Sequence, residues 1–366
     1  MRPSIIRIID IFLAAAFIAA AMPAQAQVEQ ASAARPAEYM IYQYPAVSLV
    51  VVVDVRESEF DTRILGPEGV LLGEAGIASR RIGPVYQFIE AVSTPRQLMI
   101  EVNPSQPIER SRINMELLQL PDSDRNARSL ARAYRFLAHG MKRVHTDTTA
   151  TWAERTYSLR NAAQAFGALG MEEMRLWSEY YATHLVLYEI GDVLLAMERA
   201  ATVRQETRRA GFERIELATL LLEADALLMA GDRAKGDQAL ARYESAHGAW
   251  EGAAALAGGQ GLEAERGRAL FNDGLAYERQ GRLERAIERY EQALDVTSDA
   301  SDPDLLNRIR ATTAAAYEAR GSTSGAISLL DDIAGDLSGG EEQAAALELA
   351  RNLYEKGRLL NDTFRF

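Results

Sequence analysis

Between Tyr39 and Leu120 apolar and polar residues alternate in short runs, and turn residues interrupt them every eight to twelve positions. A period of two marks strands, whose successive side chains point to opposite faces. Val47–Val55 (VSLVVVVDV) is the clearest run, with Val47, Leu49, Val51, Val53 and Val55 on one face. Val50 and Val52 make its other face partly apolar, so it belongs at the centre of a layered sheet. Phe60–Leu65 and Val70–Leu72 flank Gly66-Pro67-Glu68-Gly69, a turn in which Pro67 is pre-set for the second position. Leu98, Ile100 and Val102 alternate in the next run, and Ile113, Met115 and Leu117 in the last. About seven short strands over residues 38–121 predict a small antiparallel β-sandwich.

Pro121-Asp122-Ser123-Asp124 ends that pattern, and from residue 122 onward the period becomes helical. A first pair is predicted at Asn126–His139 and Ala150–Leu169, with Gly140 at the turn between them. The sharpest stretch is Leu270–Leu294, which sets Gly274, Tyr277, Gly281, Ala286, Tyr290 and Ala293 in fixed register. Small Gly274 and Ala286 let two antiparallel helices cross closely, Tyr277 and Tyr290 fill the space beside the crossing, and Gly281 ends the first helix. Forty residues downstream the frame reads Ala314, Tyr317, Gly321, Ala326, Leu330 and Ile333. Upstream, Gly231-Asp232 and Gly191-Asp192 repeat the turn. Around Gly231 the packing positions fall on Ala224, Leu227, Gly236, Leu240 and Tyr243; around Gly191 they fall on His184, Leu187, Ala196, Ala200 and Val203. Ten extra residues between Gly231 and Gly281 are assigned to a Gly/Ala-rich connection, His247–Gly261. Asp302-Pro303 starts a helix, and Ser338-Gly339-Gly340 closes the last pair. Glu341–Lys356 reads as a lone terminal helix, with Phe364 and Phe366 beyond it.

The Gly274–Ala293 pattern resembles a tetratricopeptide repeat (TPR), in a variant with a period of about forty residues. One such hairpin cannot bury its own apolar face, so repeats stack into an α-solenoid. The order of a sandwich followed by these repeats resembles the front half of exported bacterial tetratricopeptide proteins, many of which carry a caspase-like CHAT protease domain. The strand–turn–strand at Asp61–Ala75 is similar to the pre-peptidase type of sandwich found in such proteins. The protease requires a catalytic cysteine, and this sequence has none, so peptidase activity is not implied. The expected fold is α+β and multidomain: a pre-peptidase-like sandwich at 38–121, then a TPR-like solenoid at 122–366 closed by a capping helix.

Residues 1–26 read as a secretory signal: Arg2 and Arg7, the apolar run Ile11–Met22, and Ala24-Gln25-Ala26 as a small-x-small cleavage site. The run is short of the roughly twenty residues a membrane span needs. Residues 27–37 read as a flexible leader, and the expected location is periplasmic or secreted. The 366 residues carry a formal charge of −12, and arginines interleave with glutamates, as at Glu284-Arg285 and Glu288-Arg289. That balance argues against nucleic acid and anionic membranes as partners. The absence of cysteine excludes disulfides and thiolate metal sites. His139, His145, His184 and His247 show no metal-ligand spacing, and no phosphate loop is present. No catalytic residue, metal site or cofactor is therefore expected.

In stacked repeats the first helix of each pair lines the concave surface. The resemblance places Tyr181, Leu185, Tyr188, Leu221, Asp225 and Leu228 there, followed by Arg268, Phe271, Asn272, Leu275, Glu278, Arg308 and Thr312. Aromatic residues with arginine and asparagine suit a peptide-binding groove, although Tyr181, Tyr188 and Phe271 also fit an inter-repeat core. The expected function is a non-enzymatic scaffold holding a partner protein or peptide in this groove. Two alternatives remain: a carbohydrate- or envelope-binding sandwich, and a scaffold subunit for a separately encoded secreted enzyme. No cluster of exposed aromatics is evident in Tyr39–Leu120 to favour the glycan reading.

Overall fold

The computed structural model describes residues 6–9, 37–56, 60–77, 83–104, 112–141, 149–297 and 303–336. The predicted signal apart from Ile6–Ile9, the predicted leader apart from Ala37, His145, Asp302 and everything from Leu337 onward, including the expected capping helix, lie outside the described residues. The chain forms two compact units, Met1–Leu222 and Glu223–Phe366.

The first unit opens with strands β1 (Ile6–Ile9), β2 (Ala37–Gln43), β3 (Val47–Arg56), β4 (Phe60–Leu65), β5 (Leu71–Ile77), β6 (Val85–Ile89), β7 (Arg96–Pro104) and β8 (Arg112–Pro121). They form two four-stranded sheets, ordered β1-β8-β3-β6 and β2-β7-β4-β5. Every pairing is antiparallel except that of β1 on β8, an edge strand inside the predicted signal, where no strand was expected. The valine run is central, flanked by β8 and β6, and Leu49 to Val53 are all buried. A strand apolar on both faces can satisfy both only in such a position.

The sheets touch through Gln87 of β6, whose carboxamide donates to the Thr62 carbonyl of β4 at 3.2 Å. It lies against Gly73 of β5, where any side chain would collide with it. The Gly66–Gly69 turn forms as expected, with Glu68 in the left-handed region at φ 60°. Helix α1 (Arg125–Met141) packs on the first sheet, where Tyr134 meets Tyr86 of β6 with ring centroids 6.0 Å apart. Asp124 caps α1 by accepting from the Asn126 amide at 2.7 Å. Gly140 is not a turn residue. It lies within α1, and its missing side chain lets Leu159 of α2 (Thr149–Ala168) press against the backbone.

Helix α3 (Glu172–Leu185) runs into a widened turn at Val186–Ile190. Gly191, at φ +76°, stops it, and Asp192 caps α4 (Val193–Ala210) by accepting from the Leu195 amide at 3.2 Å. His184, Leu187, Ala196, Ala200 and Val203 are all buried, as that repeat frame requires. The unit boundary falls inside α5 (Glu213–Arg233).

The second unit continues with α6 (Asp237–Gln260), α7 (Glu263–Arg279), α8 (Leu283–Thr297), α9 (Pro303–Ala319) and α10 (Thr323–Asp336). Its best-formed hairpin is α7–α8. A Cβ on Gly274 would lie 2.5 Å from Cε1 of fully buried Tyr290 and 3.2 Å from the Ala286 carbonyl. Gly281 and Gly321 take the left-handed conformation at φ +71° and +87° between their helices.

Two expectations fail here. Gly231 is not at the turn but inside α5, where it admits the ring of Tyr243; the left-handed residue is Gly236, and Leu240 is exposed. The stretch from His247 is not a connection but the second half of α6, which reaches Gln260. Its Ala246, Ala249, Trp250, Ala253, Ala254 and Ala257 are buried at helical spacing, so alanine's helix preference and one apolar face override its glycines.

Candidate functional site

In the first unit the predicted groove residues are core residues. Tyr181 is buried with its ring stacked on Trp177, centroids 5.6 Å apart, and its hydroxyl donates to the Pro84 carbonyl at 2.7 Å. Leu185 and Leu221 are buried, and half-buried Tyr188 packs against the His184 ring at 4.6 Å. The cause is the loop before β6, which covers this face of α3, with Gly83 fitting under Trp177 because it has no side chain. Arg214 of α5 donates to both carboxylate oxygens of buried Asp54 on β3, at 2.6 and 2.5 Å. Its guanidinium also lies 5.9 Å from the Trp177 ring centre. Tyr181 thus ties α3 to the segment before β6, and buried Tyr181, Leu185 and Leu221 are not available to a partner.

In the second unit the predicted set divides. Leu228 and Phe271 are buried, Phe271 in a cluster with Ala286, Ile287, Tyr290 and Ile309. Leu275 packs on the margin of that cluster. Arg268, Asn272, Glu278 and Thr312 are partly accessible, and Arg308 is exposed. Asn272 donates to Asp225 at 3.3 Å, which joins α7 to α5. Two helical turns further on, Arg279 bonds Asp232 at 2.6 Å and forms a second rung between the same helices. Arg279 was not among the expected residues, yet it follows Asn272 by seven positions and so shares its face. Arg308 of α9 lies 5.6 Å from the Phe271 ring centre, which links α9 to α7. Glu278 accepts from the Tyr290 hydroxyl at 2.6 Å, and burial followed by that carboxylate pushes the phenol's pKa well up. Thr312 donates to its own helix at the Arg308 carbonyl, 3.0 Å away.

A buried polar network escaped the sequence reading. His247 of α6 bonds Asp273 of α7 through Nδ1 and stacks on Tyr277 at 3.9 Å. The Arg289 guanidinium of α8 stands 2.7 Å from the other Asp273 oxygen, an ion pair whose angles fall outside those of a hydrogen bond, and it also holds Glu251. These residues are 26 and 16 positions apart, and no motif joins them.

In the first unit a cleft of about 400 Å³ lies between α2 and α3, lined by Tyr157, Arg160, Asn161, Gln164, Arg175 and Glu179 among others. Burial raises the Glu179 carboxyl above its ordinary value, against the pull of Arg160, Arg199 and Arg175. The structure also changes the picture of the sheets, because Tyr42 and Tyr44 are exposed and meet edge to face at 5.2 Å. Among the described residues no group of three or more His, Cys, Asp or Glu side chains could hold a metal ion. No helix among them is long and apolar enough to cross a membrane.

Among solved structures, the chain is similar to the Rap conjugation gene regulator of the plasmid pLS20 in complex with the Phr* peptide. The match has 15% identity and a TM-score of 0.43, over 66% of this chain and 61% of that one. It is also similar to NprR in complex with its cognate peptide NprX, at 16% identity and a TM-score of 0.37, over 63% of this chain and 61% of the other. The chain therefore spans less than two thirds of the length of either neighbour. No family model and no curated protein matches the sequence.

Proposed function

We propose that this protein is an exported, non-enzymatic adaptor of tetratricopeptide type, and that an extended peptide segment of a partner protein binds the α5–α7–α9 face of the second unit. The observation that carries the reading is Asn272. Asp225 takes one of its amide hydrogens, which fixes the carboxamide while leaving the side chain partly accessible. A held carboxamide offers a donor and an acceptor to a peptide main chain, and its orientation does not have to be fixed on binding. Arg268, one turn before Asn272, and Arg308 on the neighbouring helix supply the charge that suits a partner's carboxylates. Export is read from the residue 1–26 signal, and cleavage after Ala26 would take β1 away from the edge of β8.

The test is selection of a phage-displayed random peptide library on the mature chain, with Arg268→Glu/Asn272→Ala selected in parallel. Peptides recovered on the first should bind the second at least tenfold more weakly, while its far-ultraviolet circular dichroism stays helical. Equal binding to both chains would move the function off this face. N-terminal sequencing of protein expressed with its leader tests export, and a retained Met1 would remove that part of the reading.

A further inference from the structure

Directly opposed residues on neighbouring strands share a face, so strand register converts into rows across a sheet. On the outer face of β2-β7-β4-β5 one row reads Met40, Met99, Leu65, Leu71. The adjacent row reads Glu38, Glu101, Arg63, Glu74. On the other side of the apolar row, Tyr42 stands opposite Gln97. The ends of the apolar row are uncovered, Met40 at 38% and Leu71 at 52% exposed, and beside it Tyr42, Tyr44 and Val70 are 44%, 43% and 56% exposed. Met99 and Leu65, between Met40 and Leu71, are half-buried. Four strands about 4.8 Å apart make the row roughly 14 Å long. Apolar side chains scattered singly over a surface mean little, whereas a contiguous row marks a contact site.

The acidic row says what that contact is. Arg63 stands opposite both Glu101 and Glu74 and pairs with Glu74 at 3.4 Å, while on its other side Glu101 is directly opposite Glu38. Like charges at opposed positions of an antiparallel pair destabilise the sheet. A cation placed between them removes that cost, and no described side chain of this protein does so. A membrane surface, which is anionic, would add to the repulsion.

We infer that this face seats a segment of a partner protein whose apolar side chains cover the Met40–Leu71 row and whose lysines or arginines stand against Glu38 and Glu101. The two features act together. The apolar row provides area removed from water, and the glutamate pair selects the flanking charge and fixes which way round the segment lies.

Fluorescence anisotropy on the full chain tests this with two labelled 14-residue probes, an amphipathic leucine/lysine peptide and its leucine/glutamate counterpart. The wild-type chain should bind the first and not the second. Met40→Asp/Leu71→Asp should weaken binding at least tenfold. Glu38→Lys/Glu101→Lys should reverse the preference, and Glu38→Lys alone should raise the melting temperature by relieving the like-charge pair. Binding unchanged by either double substitution overturns the inference, because adhesion of a cationic peptide to an acidic chain would produce it. Two other results overturn it as well: a dimer on sedimentation that Met40→Asp/Leu71→Asp dissolves, or binding of cellohexaose with neither peptide bound.

Discussion

Replacing Arg214 by methionine tests whether the ion pair on Asp54 is what holds the helix layer to the sheet in the first unit. The two residues are 160 positions apart and meet through two hydrogen bonds of 2.6 and 2.5 Å. Asp54 is buried, while the Arg214 side chain keeps 30% of its surface exposed. Removing one partner of a fully buried pair costs about 3–5 kcal/mol, because a charge remains in a poorly solvated place. The exposed part of Arg214 admits water to Asp54, so about 2–4 kcal/mol is expected here. Methionine retains much of the apolar stem over Trp177, which confines the loss mainly to the charge. Replacing both partners, Asp54→Leu with Arg214→Met, leaves no stranded charge and should return to within about 1 kcal/mol of wild type. Urea unfolding followed by tryptophan fluorescence reads the difference, with the midpoint falling by roughly 1 M for the single variant at an ordinary slope. A single substitution costing under about 1 kcal/mol, or a double one as damaging as the single, would refute the reasoning.

Two glycines separate steric from conformational cost. Gly274→Ala puts a methyl group into the Tyr290 ring and should cost about 1–3 kcal/mol. Gly281→Ala meets no atom within 4 Å but holds an L-residue at φ +71°, so about 1 kcal/mol is expected. Thermal melts of the two variants should therefore rank Gly274→Ala as the less stable. Glu179 provides a pH test. Its folded pKa is raised by burial, so the folded state binds the proton more tightly, and stability falls as pH rises from the ordinary carboxylate value of 4.5 through the raised one. Glu179→Gln should raise the melting temperature at pH 7 and leave it nearly unchanged at pH 4; an equal gain at both would rule out ionisation as the cause.

What could be read from the sequence was what is local. The valine run of β3, the hairpin around Gly66–Gly69 and the crossing of Gly274 with Tyr290 each depend on residues close in the chain. Gly231-Asp232 was misread because a glycine inside a helix and one that ends it are the same letters. The distinction lies in Tyr243, which needs the space Gly231 leaves, and in Gly236, which supplies the left-handed turn. The groove residues were half legible. Periodicity put Asn272 and Arg268 on a partly accessible face of α7, but it could not show that Pro84, 97 residues before Tyr181, would cover the corresponding face of α3. The Glu38–Glu101 opposition was equally hidden, since it exists only once β2 and β7 are paired.

The 24-residue span of α6 also bears on how freely this chain can be rearranged. Its partner in the next hairpin, α8, has 15 residues, so at about 1.5 Å per residue α6 is some 13 Å longer. Tandem arrays of equal modules tolerate deletion, duplication and consensus replacement, because each module presents its neighbour with the same interface. Here Asp273 of α7 is fitted to His247 of α6 and Arg289 of α8, a contact particular to these three helices. Excising the α5–α6 pair would therefore strand Asp273 without its histidine, so the chain has given up modularity at this point.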